Sequence, residues 1–267
     1  MADDGVCLKA KEGFGPLRNI VVRNVSIRSK SHAIKFGSNC DTEMSDILFE
    51  NIIIWDSNSG LGIQHRSQGD IHNVTYRHIR IETRYVAPRW WGNGDWLSIT
   101  AEPRHQHDII GELYDLTFEN IFAVSENGGL ISSKRQNGIH GLVMQDIRVV
   151  LDRWSNYSMG QGPKCQHRDF PGHYSHGSGR GRSVRGIELT CMGTQDHRPS
   201  FAEDVNCSHY CRTPAKADGL YLENVHDTFI NNFTVDFIDD RVPYWGDCLV
   251  VDKFASEVTI NGIRCKK

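Results

Sequence analysis

The sequence predicts an all-β chain, a right-handed parallel β-helix, and three observations predict it. A nine-residue phrase recurs at a near-constant period. A shorter phrase falls between its copies, always in the same order. Glycine is abundant (25 residues) and methionine scarce (5), which suits a turn-rich β protein better than a helical one.

The long phrase reads NIVVRNVSI over 19–27, DILFENIII over 46–54, NVTYRHIRI over 73–81 and DLTFENIFA over 115–123. Weaker copies begin at Gly141, Asp227 and Glu257, and four of the six spacings lie between 26 and 30 residues. A fixed period of this size is the signature of a solenoid. Apolar residues alternate on either side of a polar pair such as Glu50-Asn51. Alternation predicts a strand with one face turned inward, and the pair predicts a bend. Asn at a bend tolerates left-handed backbone and can bond to its copies in neighbouring coils.

The short phrase occupies 4–8, 32–36, 59–63, 127–131, 218–222 and 246–250, each a small or polar residue leading into an alternating strand. Each coil therefore carries at least two short strands, stacked in parallel about 4.8 Å apart. A β-sandwich of independent strands does not explain why both phrases keep their order. Two gaps interrupt the period, about 82–114 and 152–216, and both are expected to be long loop insertions on a single domain spanning 1–267. The second is rich in Gly, His, Arg and Cys, and around Val184–Leu189 it has room for an irregular turn.

Composition narrows the function. The 267 residues are 39% hydrophobic and carry a net charge of -3 with acids and bases interspersed, so no nucleic-acid partner is expected. No apolar run is long enough to span a membrane. Met1–Asp4 has neither the basic region nor the apolar core of a signal peptide and runs at once into a strand, so the helix is expected to be incomplete at its N-terminus. Five N-x-S/T sites (Asn24, Asn73, Asn156, Asn206, Asn232) and 8 cysteines point to a secreted glycoprotein with disulfides. Cys207 and Cys211 suit a local disulfide; with Cys165, His167, His173 and His176 their spacings do not form a compact zinc set, so no metal or cofactor is expected.

A solenoid presents its sheets as long grooves, and an extended polymer is the natural ligand of a groove. Aligning the short phrase stacks Asp3-Asp4 over Ser31-His32 over Asn58-Ser59. Two carboxylates beside a histidine, one coil apart, form a plausible acid–base site. Asp-Gly is also a common turn pair, so Asp3 and Asp4 read equally as solvated turn residues. Trp90, Trp91 and Trp96 suit either a platform for sugar rings or a hydrophobic cap on a coil, and Arg104 either a groove or a loop anchor.

These residues carry a family resemblance. Asp3-Asp4-Gly5-Val6-Cys7-Leu8-Lys9 resembles the paired-aspartate motif of the polygalacturonase-like glycoside hydrolases, and Ser31-His32-Ala33 falls where that family has Gly-His-Gly. The segments Gly60–Arg66, Ile81–Arg84, Trp90–Gly92 and Ala101–Arg104 resemble a subgroup of it. The resemblance implies inverting hydrolysis of a pectin-like or related polysaccharide by a monomer. Asp3 would be the general acid, Asp4 would position and deprotonate water, and His32 would tune an aspartate. Adjacent carboxylates are expected to raise each other's pKa. Gln64, His65, Arg66, Trp90, Trp91 and Arg104 would contact substrate. The family's Arg-Ile-Lys motif, which grips a uronate carboxylate, falls on Gly62-Ile63-Gln64, and a further catalytic Asp would precede this chain. Two other readings share the fold: a carbohydrate-binding β-helix without activity, and a lyase or epimerase, which would call for a Ca²⁺ cage not evident here.

Overall fold

The structure is a computed structural model describing residues 3–85, 92, 94–103, 108–135, 138–154, 166–170, 186–190, 217–238 and 245–267, with backbone alone for 166–170 and 186–190. It is an all-β, solenoid-type fold built on two seven-stranded parallel sheets. The first sheet, A, stacks β1 (Val6–Ala10), β3 (His32–Cys40), β5 (Ser59–His65), β7 (Asp95–Ala101), β9 (Asn127–Ser133), β13 (Leu220–Glu223) and β15 (Leu249–Val251). The second, B, stacks β2 (Leu17–Ile27), β4 (Met44–Ser57), β6 (Ile71–Thr83), β8 (Leu113–Ser125), β10 (Ile139–Leu151), β14 (Val225–Phe237) and β16 (Ser256–Lys266). One strand of each makes a rung, as the two phrases predict.

The long phrase is the middle of each sheet B strand. In β6 and β8 the apolar residues at every second position are buried, and the pattern changes parity after the polar pair. The parity change is a left-handed residue: Asn24, Asn51, His78, Asn120, Asp146 and Asn232 all have φ between 52° and 58°. A second left-handed column, not read from the sequence, runs through the first residue of the phrase: Asn19, Asp46, Asn73, Asp115, Asp227 and Glu257. Short polar side chains tolerate this backbone best because they bond locally. They also bond from rung to rung: Asn51 Nδ2 donates to Asn24 Oδ1 (2.6 Å), Asn73 Nδ2 to Asp46 Oδ1 (2.6 Å) and Asn232 Nδ2 to Asp146 Oδ1 (2.7 Å). Three of the N-x-S/T sites thus lie in these columns, while Asn156 and Asn206 fall outside the described residues.

Stacked rungs place like on like inside. Phe49, Tyr76 and Phe118 are fully buried, with centroids 5.0 and 5.1 Å apart and near-parallel rings. Each buried ring or branched aliphatic contributes about 1.5–3 kcal/mol relative to exposure. The Tyr76 hydroxyl finds no partner among the described residues, and burial pushes its pKa up.

The first expected insertion is partly regular. Within 82–114 lies β7, paired in register with β5 and β9. It escapes the phrase pattern because Trp96 follows Asp95 where five of the six other copies have Gly or Ala. Trp96 is a core residue: it is fully buried, its Nε1 donates to Gly219 O (3.1 Å), and a Cβ on Gly129 would sit 2.8 Å from that Nε1. Within 152–216, β12 (Gly186–Thr190) pairs antiparallel with β11 (Gln166–Phe170) rather than joining either parallel sheet. The disulfide found among the described residues joins Cys248 and Cys265 of the last rung; Cys207 and Cys211 lie outside them.

Candidate functional site

The stacking read from the short phrase is present. Gly5 N–H donates to His32 O (2.9 Å) and Ser59 N–H to Ser31 O (3.1 Å), so Asp4, His32 and Ser59 stand on three successive rungs. The serines of this corner hold its shape: Ser29 Oγ donates to Asp3 O (2.5 Å), and the N–H groups of Ser31 and Ser29 donate to Ser29 Oγ and Ser57 Oγ (both 2.9 Å). Asp3 is exposed, and its Oδ1 accepts from Asp4 N–H (2.8 Å).

Asp4 is the centre of the constellation. Ser31 Oγ donates to Oδ1 (2.6 Å), His32 N–H approaches the same oxygen (3.3 Å), and Lys35 Nζ lies 3.2 Å from Oδ2. Both charged side chains are nearly closed to solvent, 9% exposed for Asp4 and 7% for Lys35. Burial alone would raise the Asp4 carboxyl, but its interactions with His32, Lys35 and Ser31 outweigh it and hold the group well below the carboxylate range. The positive charge is that of Lys35. His32 is wholly buried, which drives its imidazole toward the neutral form, and its Nδ1 lies 3.7 Å from Asp4 Oδ1, beyond hydrogen-bond reach. Neither ring nitrogen has a partner among the described residues. The expectation that paired carboxylates raise each other is therefore corrected at Asp4: its neighbours keep it ionised, the state a base requires. Cys7, close by, is a thiol, its pKa pushed up to about 11 by burial and then by Asp4.

Lys35 was not singled out from the sequence, yet its signal was present. Ile34 and Phe36 are buried core residues, so Lys35 between them points outward, and it stands in register with Gly62. Lys35 thus stands one rung before Gly62 in the same outward column. Gly62 is explained by its neighbour, since a Cβ there would run into Cδ2 of the His32 ring.

The remaining predicted residues divide. Gln64 is on the outward face, in register with Gly37 and Thr100, and is 6% exposed. His65 is fully buried, and burial lowers its pKa to about 4. Arg66 is 4% exposed, with its guanidinium donating to His65 O (3.0 Å), Thr100 O (2.9 Å) and Thr100 Oγ1 (2.6 Å) and lying 3.3 Å from Glu102 Oε1. Arg66 thus ties its own rung to the next through Thr100, and His65 is packed inside. Trp90, Trp91 and Arg104 lie outside the described residues. A residue the sequence reading missed is Asp95, fully buried and accepting from Ser59 Oγ (2.7 Å). Among the described residues no group of three or more His, Cys, Asp or Glu is placed to hold a metal.

No protein family, curated protein or solved structure that we compared with this chain matches it. The chemistry available at the corner is that of a desolvated, ionised carboxylate held by an ammonium and a hydroxyl, beside a second, exposed carboxyl and a neutral imidazole.

Proposed function

We propose that the chain is a secreted glycoside hydrolase of polygalacturonase type, cleaving an acidic, pectin-like polysaccharide with inversion. The observation that carries this is the buried Asp4 carboxylate, ionised beside Lys35 and next to the exposed Asp3 at the end of a parallel sheet. Asp3 gives a proton to the leaving glycosidic oxygen. Asp4 takes one from the water that attacks the anomeric carbon from the opposite face. Lys35 positions Asp4 and keeps it ionised, and His32 packs beside it as a neutral ring. The Cys248–Cys265 disulfide supports an oxidising compartment.

A second reading has its own support. Lys35 is committed to Asp4, and no cation stands at Gly62 or Gln64 for a uronate carboxylate. That favours a carbohydrate-binding solenoid without turnover. Reducing-end release from polygalacturonan, rhamnogalacturonan and a neutral galactan separates the two. Hydrolysis predicts release from an acidic polymer that falls at least about a hundredfold in Asp4→Asn. No release from any polymer, or full activity in Asp4→Asn, overturns the hydrolase assignment.

A further inference from the structure

The outer face of sheet B, on strands other than those carrying Asp4, has a feature that hydrolysis does not use. In-register pairing lines up Arg80, Phe122, Arg148, Thr234 and Arg264 as one outward column across β6, β8, β10, β14 and β16. Arg80 and Arg148 stack over the Phe122 ring, with Cζ 5.2 and 5.7 Å from its centroid. The ring's negative faces hold two guanidiniums apart at a set distance, with one rung between them. At the end of the column a cavity of about 390 Å³ is lined by Arg148, Thr234, Asp236, Arg264, Cys265 and Lys266. It holds three cations and one carboxylate, and Asp236 is already engaged by Arg148 through Nε (3.1 Å) and Nη2 (2.8 Å). Among the described residues Arg264, Lys266 and Arg80 have no carboxylate partner.

We propose that this face binds an acidic polysaccharide, with one carboxylate-bearing sugar in the Arg148–Arg264–Lys266 cavity and the chain continuing past Phe122 to Arg80. Three features favour a polyuronate. A guanidinium fork matches a carboxylate in two parallel bonds. The arginines recur on every second rung, a spacing that a polymer with one carboxylate per sugar can meet with sugars that are not immediate neighbours. Among them stand acceptors, Thr234 and Asp236, which suit sugar hydroxyls. The chain as a whole is acidic, with net charge -3, so this cationic strip is a local departure. The site is separate from Asp4 and does not depend on turnover.

The test is calorimetric titration of a size-defined oligogalacturonate into Asp4→Asn protein, which blocks the proposed hydrolysis without touching this face. We expect binding that weakens as salt rises. It should weaken about tenfold or more in Asp4→Asn carrying Arg264→Ala and Lys266→Ala, with the melting temperature unchanged. Arg80→Ala should weaken longer oligomers only. Equal affinity in the Arg264→Ala/Lys266→Ala protein overturns the proposal, as does absence of binding. So does equal affinity for a neutral galactan or for single-stranded DNA of the same charge. Loss of hydrolysis with binding intact would overturn nothing here.

Discussion

Replacing Lys35 by methionine removes the ammonium 3.2 Å from Asp4 while keeping most of the side-chain volume. Breaking a buried ion pair from one side costs about 3–5 kcal/mol, because the survivor is left charged and desolvated. Here the lower end is expected, about 3 kcal/mol, since Asp4 keeps the Ser31 hydroxyl and the His32 N–H. Asp4→Asn should cost less, and the double variant should recover about 2 kcal/mol of the summed loss. The pair sits in the first rung, so the sensitive assay is hydrogen exchange at the Gly5 amide, which bonds across to His32 O, alongside urea unfolding. The pH dependence has a defined sign. The folded pKa of Asp4 lies below its ordinary 3.8, so its contribution is present above that pH and is lost as pH falls below it. In Lys35→Met the Asp4 carboxyl titrates closer to its ordinary value, so the acid loss should be smaller and complete at higher pH. A coupling below about 0.5 kcal/mol, or an unchanged acid limb, would refute the view that Lys35 sets the charge of Asp4.

Three further outcomes are expected. His65, neutral and buried, has its pKa lowered from 6.5 to about 4, so its contribution is present above pH 6.5 and is lost as pH falls to 4. That loss amounts to about 3 kcal/mol; a His65→Gln variant with an undiminished slope in pH-dependent denaturation would contradict this. Tyr76→Phe removes a buried hydroxyl with no partner among the described residues and matches Phe49 and Phe118 above and below. It should stabilise by about 1 kcal/mol in urea, and a destabilised variant would show that the hydroxyl is satisfied. Asn51 has φ 54° and bonds to Asn24, so Asn51→Ala should cost about 2 kcal/mol in the same assay and Asn51→Gly clearly less. Equal costs would place the loss in the side-chain bond alone.

Sheet B was legible because its inward residues repeat with the rung and its bends carry Asn. The second left-handed column was not, because Asn19, Asp46 and Asn73 sit where the phrase begins and read as strand starts. β7 was hidden by one residue, Trp96, whose indole fills space left by Gly129 two positions into the next strand of its sheet. At the candidate site, Asp4 over His32 followed from spacing alone. Lys35 did not, because the resemblance places a cation at position 62, where the ring of His32 leaves no space for a side chain. The partners of Arg66 were not legible either, because spacing along the chain does not say which rung a guanidinium ties. The Cys248–Cys265 bridge joins the two phrases of one rung, a pairing that spacing along the chain does not single out.

The in-register ladders have an evolutionary corollary. Ile71 pairs with Met44 on one side and with Leu113 on the other, although 27 residues separate the first pair and 42 the second. The surplus is taken up at corners, and the corner leading from sheet B into sheet A ranges from a single residue, Asn58 or Glu126, to the whole of 152–219. Asp4, Ser31 and His32 stand at that same corner. Residues added at a corner need not shift any strand, whereas one added residue within a strand would turn every later side chain of it inside out. The scaffold thus confines differences in length to its corners, on both sides of the rung, and keeps the strands in register.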